Sequence, residues 1–324
     1  MAFLEKINLG VEALNLGFEP KMPPTPFISA RGIEAVWYPN TRQVDIKRLL
    51  SDVQKNHLTT RDLNIVETLF RHRYLTSHQL SKLFFDGQNK KIIHKRLDKL
   101  TNLRLVQLFK WRVNDKLANT KAYCLGKGGG LLLEVFRKRD LNGWSEHNNI
   151  KSISYIFQIL MANEVYVKLV QLTKSLGEEE GLIEFKIEPK LQISDKKYHE
   201  ICPTASFNFR RSGRNVEFIL EVLREPDIEY IPQKLKKLNE YYLVKNFKVP
   251  PVFILITEKD SQALRIGETI EVLGLTELDK WMRMSTDVRM ASYPLSQAFF
   301  KVTKGVIEAT STKIFEMVSD DQGG

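Results

Sequence analysis

The feature that most constrains the fold of this chain is the segment Leu58–Leu125, where three helical patterns precede two strand-like runs. The first pattern, Thr60–His72, places its apolar residues on one stripe at helical spacing. The second begins at Thr76, because a threonine followed three residues later by Gln79 forms a capping box at a helix start. The Asp86–Gly87 turn then ends it. These signals predict two short helices before a third.

The third helical pattern, Gln88–Thr101, has two faces of opposite chemistry. Ile93, Leu97 and Leu100 recur on one side, and lysines occupy the other. A helix with an apolar back and a basic front, third in such a set, corresponds to a DNA-recognition helix. An ordinary solvated helix surface is the alternative, since lysine is common on surfaces. The residues predicted to face DNA are Gln88, Asn89, Lys90, Lys91, His94, Lys95 and Lys99.

The two strand-like runs, Leu105–Arg112 and Thr120–Leu125, flank a polar turn and predict a β-hairpin. Three helices followed by a hairpin are typical of a winged helix-turn-helix, whose wing holds DNA phosphates with cations. We therefore predict an α+β chain, with a winged helix-turn-helix followed by an α/β domain. The wing cations predicted to contact DNA are Lys110, Arg112, Lys116 and Lys121.

The charge distribution favours a nucleic-acid partner for this segment. Residues 55–127 contain 16 Lys or Arg against 5 Asp or Glu, an excess of 11, whereas the whole chain has a net charge of +10. Residues 177–258 contain 13 basic and 14 acidic residues and are nearly neutral. A basic excess confined to one segment is the electrostatic footprint of a protein that binds phosphates.

The chain before this segment, residues 1–56, is predicted to form an N-terminal arm. Four prolines between positions 20 and 26 predict an extended linker, and Val44–Val53 is a weak helical pattern. Two roles stay open for the arm: a plain tether, which we favour, and a second contact with DNA. The cations that such a contact would use are Arg31, Arg42, Lys47 and Arg48.

Glycines at positions 126 and 128–130 predict a turn into a helix starting near Leu131, within a winged-helix domain of residues 57–142. They do not form a Walker phosphate loop, because the pattern lacks the required Gly-Lys followed by Ser or Thr. The polar segment 143–152 predicts a loosely held domain boundary.

Residues 150–310 predict an α/β domain. A long helix, Ile153–Leu176, precedes three strands, the basic amphipathic helix Gln233–Lys245 and a buried strand at 251–257. The closing strand–helix–strand unit predicts a parallel pair with a right-handed crossover. Thr269–Leu273 is predicted as a strand and Pro294–Glu308 as a helix, before a disordered tail at 311–324.

Composition excludes several classes of protein. No apolar run approaches the roughly 20 residues of a membrane span, and the first residues lack the pattern of a signal peptide. We therefore expect a cytoplasmic protein with no membrane partner. Cys124 and Cys202 are the only cysteines, and we expect both to be reduced and buried. The six histidines form no HExxH or HxH pair, so we expect no metal site.

Five short motifs occur in a fixed order along the chain: LTTRDLNIV from Leu58, LTSHQL from Leu75, KRLDKL from Lys95, YCLGKGG from Tyr123, and the pair Asn163–Glu164. Together they resemble the replication-relaxation proteins of plasmids and conjugative elements in Gram-positive bacteria. KLKKLNEYYL, from Lys234, is similar to a later helix of that family. The resemblance extends over about Leu58–Thr257 and implies a winged helix followed by a degenerate restriction-endonuclease fold.

The residues that would make the second half a nuclease depart from the pattern that this resemblance implies. A metal-dependent nuclease of that fold uses an acidic residue on one strand and Glu-x-Lys on the next. Here the resemblance puts Thr204 at the acidic position, Glu221 at the Glu position and Leu223 at the Lys position. One carboxylate holds magnesium poorly, although Glu184 or Glu188 could compensate. We therefore predict no catalysis and no cofactor, with Glu221 as the one weak catalytic candidate.

Three functions are consistent with the sequence. The first, which we favour, is a double-stranded DNA-binding accessory or regulatory protein of a mobile element, acting in replication, relaxosome assembly or transcriptional control. A relaxase or replication protein would be its partner, and a homodimer stays open. The second is a metal-dependent nuclease or nicking enzyme. The third is a scaffold whose winged helix binds a protein, which predicts no DNA binding and little dependence on salt.

Overall fold

The computed structural model describes residues 33–38, 43–113, 116–141, 143–177, 179–196, 199–224, 230–245, 247–310 and 312–316. The proline-rich part of the predicted arm, with Arg31 and Arg42, lies outside these residues. The hairpin tip at 114–115, the side chain of Lys116 and the chain beyond 316 lie outside them as well. Helices and sheets are mixed along the described chain, which confirms the α+β class.

The first half of the chain is a cluster of helices with a small antiparallel sheet, and its elements follow the predicted order. Apolar residues of the helices, among them Leu63, Val66 and Leu97, share one core with the hairpin. The sheet has the strand order β1-β3-β5-β2, with β4 paired to β3. The elements are β1 (Ile33–Trp37), α1 (Ile46–Gln54), α2 (Thr60–His72), β2 (Tyr74–Thr76), α3 (Ser77–Phe84), α4 (Lys90–Asn102), β3 (Val106–Val113), β4 (Lys116–Leu117), β5 (Ala122–Leu125) and α5 (Lys127–Phe136).

Local capping chemistry sets where these helices begin. The capping box predicted at Thr76 is present: its hydroxyl accepts from the Gln79 amide at 3.1 Å, and the Gln79 side chain accepts from the Thr76 amide at 3.0 Å. α4 begins later than predicted, at Lys90, because the Asn89 side chain accepts from the Lys91 amide at 2.9 Å and caps the helix. Gln88 therefore precedes the helix.

Part of the predicted arm is built into the fold. Strand β1 pairs antiparallel with β3 along its whole length, from Ile33 opposite Val113 to Trp37 opposite Phe109. The Trp37 and Phe109 rings contact each other at a tilt of 31°, with centroids 4.7 Å apart. This strand covers an edge of the hairpin that would otherwise be unpaired, so residues 33–37 are not a free tether.

The glycine-rich run is helical, and the predicted start near Leu131 was wrong. α5 begins at Lys127, and Gly128–Gly130 lie inside it. A Cβ at Gly126 would collide with the Arg104 carbonyl oxygen, and one at Gly129 with the Leu105 carbonyl oxygen. These glycines are needed because the first turn of α5 lies directly on the backbone that precedes β3.

The second half contains a seven-stranded sheet of order β14-β13-β12-β11-β10-β9-β6. β10, β11 and β12 run parallel, which confirms the predicted parallel pair, and the other neighbours are antiparallel. The elements are α6 (Ile153–Lys174), β6 (Gly181–Ile187), β7 (Leu191–Gln192), β8 (Glu200–Ile201), β9 (Ala205–Arg211), β10 (Arg214–Val222), α7 (Ile231–Val244), β11 (Val252–Thr257), α8 (Asp260–Val272), α9 (Thr276–Trp281), β12 (Met282–Thr286), α10 (Asp287–Ser292), β13 (Phe300–Thr303) and β14 (Val306–Ala309).

Four predictions for the second half were wrong in whole or in part. Thr269–Leu273, predicted as a strand, lies at the end of α8, and the helix predicted at Pro294–Glu308 is instead the β13–β14 hairpin, turned at Gly305 with φ of 72°. Part of the predicted disordered tail is packed, because Phe315 is buried against Phe209, with ring centroids 5.3 Å apart. Cys124 is buried as expected, but Cys202 is exposed.

Helix α6 joins the two halves. Its early residues Ile156 and Phe157 pack with Trp111 of the hairpin sheet, and its later residues pack against the large sheet. By length and apolar composition it is one helix that could span a membrane, but 61% of that apolar stretch is buried inside the protein.

The predicted loose boundary at 143–152 is held in place. Asn149 donates to the Leu125 carbonyl at 2.8 Å, and its own carbonyl accepts from the Tyr74 hydroxyl at 2.6 Å. Glu146 pairs with Arg104 at 2.5 Å. The polar residues that predicted a loosely held boundary make these contacts instead.

Candidate nucleic-acid interface

Helix α4 presents a polar surface because its apolar side is fully occupied. Ile93, Leu97 and Leu100 are buried in the helical core. The opposite side therefore faces outward, most openly in its first turns. The exposed residues there are Gln88, Asn89, Lys90, Lys91, Ile92 and Lys95, and His94 is half-buried.

Two cations of α4 are used to hold the fold. Arg96 donates through Nε to a carboxylate oxygen of the buried Asp62 at 2.7 Å, with a second contact from its Nη2. Burial alone would raise the pKa of the Asp62 carboxyl, but hydrogen bonds from Arg96 and Thr59 lower it below the usual value. Lys99, which was predicted to contact DNA, donates to the His57 carbonyl oxygen at 3.0 Å.

Lys91 and Lys95 differ from these two cations. Within the residues that the structure describes, neither has an ion pair or a side-chain hydrogen bond. Both line a cleft of about 920 Å³ between α4 and α1, which Arg48 and Asp52 of α1 also line. Lysines left unpaired on one surface are available to an anionic ligand.

Two of the predicted wing cations lie beside acidic residues. Lys121 pairs with Asp98 of α4 at 3.3 Å, and Arg112 lies directly opposite Glu34 of β1. Lys110 is half-buried, opposite Val36. Strand β1, which the sequence patterns did not reveal, therefore places a carboxylate beside one predicted wing cation.

The sequence patterns also missed Ile92. Its side chain is 55% exposed, whereas that of its neighbour Ile93 is 3% exposed. A helical projection could have found it, because Ile92 lies one residue outside the stripe formed by Ile93, Leu97 and Leu100.

The second candidate site surrounds Glu221, near the end of β10. Its side chain is 3% exposed, accepts from the Thr204 hydroxyl at 3.0 Å and pairs with Lys234 of α7 at 2.7 Å. Burial raises the pKa of Glu221, and Lys234 and Thr204 oppose that rise. Glu221 is therefore neutralised by a lysine of α7.

Arg224 instead pairs with Asp287 at 2.9 Å, and both side chains are buried. Arg224 lies two residues beyond the end of β10, and its partner Asp287 is the first residue of α10. Burial raises the pKa of Asp287 to about 7, although Arg224 opposes the rise.

Neither carboxylate considered as a substitute lies free beside Glu221. Glu188 pairs with Arg73 at 2.7 Å and accepts from the Tyr155 hydroxyl at 2.9 Å, and Glu184 pairs with Lys186 at 2.8 Å. Across the described parts of the chain, no group of three or more His, Cys, Asp or Glu residues is placed to hold a metal ion.

The Asn163–Glu164 pair on α6 fastens the long helix to the first half. The Asn163 amide donates to the carbonyl oxygens of His72 and Tyr74 at 2.9 and 2.6 Å, so its own oxygen accepts from the His72 ring at 2.9 Å. Glu164 accepts from Gln79 of α3 at 3.2 Å. This clamp joins α6 to the turn between α2 and α3.

Residues 66–195 match the family model described as Replication-relaxation. The resemblance drawn from the sequence motifs is therefore confirmed over this segment, which contains α4, the hairpin, α6 and its Asn163–Glu164 pair. Thr204, Glu221 and Lys234 lie beyond the match. No curated protein and no solved structure matched the chain. The family match supports a role in plasmid replication or relaxation.

Proposed function

We propose that this replication-relaxation chain is an accessory or regulatory protein of a plasmid or conjugative element, which binds double-stranded DNA in the cytoplasm. The observation that carries the proposal is a pair of exposed lysines one turn apart on α4, Lys91 and Lys95, whose side chains have no partner among the described residues. The first half would act as a winged helix-turn-helix, with α4 in the major groove and the hairpin on the adjacent backbone.

The arrangement of charge supports DNA more than a protein partner. Arg96 and Lys99 are held by Asp62 and the His57 carbonyl, so the helix keeps its position without using Lys91 or Lys95. A lysine fixed by neither the fold nor an acidic neighbour is suited to a mobile, hydrated phosphate backbone.

The first test is the double variant Lys91→Ala with Lys95→Ala, measured by DNA binding over a range of salt concentrations. Each phosphate contact adds about 0.9 to the slope of log affinity against log salt. We expect binding weaker by roughly tenfold or more and a slope smaller by about 2. The matched control is Lys236→Ala with Lys237→Ala, which removes two exposed lysines from α7 and should change neither quantity.

Unchanged affinity and slope in a folded Lys91/Lys95 variant would move the DNA-binding surface elsewhere. No binding of any DNA by the unaltered protein, with no dependence on salt, would favour the protein-scaffold alternative. A random-library selection should be run first, because a palindromic site would also identify a homodimer.

The proposal assigns the second half a supporting role without catalysis. Glu221 is buried and neutralised by Lys234, and Thr204 occupies the position where a metal would need a second carboxylate. A relaxase or replication initiator is the partner that we propose for this half. The alternative is a metal-dependent nuclease. It is favoured by the position of Lys234, whose ammonium group lies 2.7 Å from the Glu221 carboxylate.

Incubating supercoiled plasmid with the protein and magnesium or manganese distinguishes a non-catalytic second half from a nuclease. We expect no nicking. Nicking that disappears in Glu221→Ala would promote the nuclease, and nicking that persists in that variant would point to another site or a contaminant.

A further inference from the structure

The side chain of Ile92 on α4 is 55% exposed and lies outside the apolar core of the first half, as far as the described residues show. Its neighbours in sequence, Lys91 and Ile93, belong to the polar surface and to the buried core respectively. Apolar side chains at the edge of the first-half core, such as Leu83 and Leu103, are half-buried and pack against it, but Ile92 is not among them. A single exposed apolar side chain is common on protein surfaces, so what distinguishes Ile92 is where it lies, in a lysine-rich first turn of α4.

The position of Ile92 limits what that contact can be. It lies in the first turn of α4, three residues before Lys95, so the two side chains are neighbours on the helix surface. The residues at the start of a recognition helix are those that reach base edges. A four-carbon side chain without donor or acceptor cannot read the polar pattern of the groove. The apolar feature that the major groove offers is the C5-methyl group of thymine.

We propose that Ile92 reads a thymine methyl group, so that the DNA site recognised by this protein contains an A·T pair at the position facing Ile92. This inference rests on the proposed function, and it makes Ile92 a specificity-determining residue. Lys91 and Lys95, which lie together beside it on the helix surface, would hold phosphates and carry no sequence information themselves.

The experiment removes the thymine methyl group from the DNA and shortens the side chain of residue 92 in the protein. A binding site is first selected from a random library with the unaltered protein. Each thymine is then replaced in turn by deoxyuridine, which lacks only the C5-methyl group. Affinities are measured for the unaltered protein, Ile92→Ala and Ile92→Val, with Ile150→Ala as the control because Ile150 is equally exposed, at 57%, on another surface.

At one thymine, we expect deoxyuridine to weaken binding by the unaltered protein by about fourfold, the effect of one buried methyl-sized group. In Ile92→Ala, replacing that thymine by deoxyuridine should cause no further loss of affinity. The loss caused by deoxyuridine should be mostly retained in Ile92→Val and fully retained in Ile150→Ala. Because Ile92 is exposed, all variants should fold, and equal melting temperatures check this.

Two results would overturn the inference while leaving the proposed function in place. One is salt-dependent, selective binding in which no thymine is sensitive to deoxyuridine. The other is a sensitive thymine whose effect is the same in Ile92→Ala. If the unaltered protein selects no DNA, or if Lys91→Ala with Lys95→Ala binds normally, the assignment of α4 as the DNA-binding helix fails, and the inference fails with it.

Discussion

The charged side chains on the open side of α4 and those near the large sheet differ in whether they are paired and buried. At the end of β10, the buried Glu221 pairs with Lys234, and just beyond that strand the buried Arg224 pairs with the buried Asp287. On the open side of α4, Lys91 and Lys95 face solvent with no partner among the described residues. Buried charges must be paired because desolvation is costly, so the sheet pairs report on folding. Surface lysines without partners remain available to a ligand.

Arg96 shows that this difference follows the surroundings of a residue and not the element that carries it. It lies one residue from Lys95 on the same helix, yet it is bound to the buried Asp62 and belongs with the paired charges. Three substitutions in the first half test the distinction, in order of their expected effect on stability.

The largest effect is expected for Asp62→Ala. Asp62 is 0% exposed, closes the capping box of α2 and holds Arg96, so its loss leaves a cation and a helix start without their partner. We expect the free energy of unfolding to fall by roughly 3 kcal/mol in urea denaturation. The control is Asp98→Ala, which removes the exposed partner of Lys121 and should cost less than about 1 kcal/mol. Equal losses in the two variants would contradict the distinction.

A smaller, pH-dependent effect is expected at His72, in the clamp to α6. Burial lowers the pKa of His72 to about 4, from an ordinary value of 6.5, although the Asn163 hydrogen bond opposes the shift. Between pH 6.5 and 4, His72 is therefore protonated in the unfolded chain and neutral in the folded chain. The free energy of unfolding decreases as the pH falls through this range. Between pH 7 and pH 5 the loss should be about 2 kcal/mol.

The variant His72→Gln isolates this contribution, because an amide can still donate to Asn163 but does not titrate. Its free energy of unfolding, measured at the same pH values, should lack the part of the acid slope due to His72. If the unaltered protein and the variant show the same slope, His72 does not titrate as its burial indicates.

The smallest effect on stability is expected for Lys91→Ala with Lys95→Ala. Since neither side chain has a partner in the described structure, the free energy of unfolding should change by less than about 0.5 kcal/mol. The same variant should lose at least about tenfold in DNA affinity. A marked loss of stability would mean that these lysines support the fold and that the comparison with Arg96 is wrong.

Much of the first half could be predicted because its signals are local. The capping box at Thr76 and the apolar periodicity of Thr60–His72 act within a few residues, and both placed their helices correctly. The start of α5 was missed because glycine usually disfavours helix, whereas here the close approach to the Arg104 and Leu105 carbonyls requires it.

The features that escaped prediction depend on distant partners. β1 is a strand because β3 offers an edge to a segment far from it in sequence. In the sequence, Lys99 and Lys121 are predicted to contact DNA just as Lys91 is. In the structure, Lys99 donates to the His57 carbonyl and Lys121 pairs with Asp98. Periodicity assigns a side chain to a face of a helix, but it does not show which neighbour will occupy that face.

Helix α6 has a consequence for how the protein is made. Tyr74, Phe109 and Trp111 are buried partly because the first turns of α6 cover them, and Asn163 completes the turn after α2. A nascent chain whose synthesis has reached residue 142 has every strand and helix of the first half but not this cover. Its sheet would stay open and prone to association until α6 is synthesised. The sheet of the first half is therefore completed only when α6 has left the ribosome and packed on it.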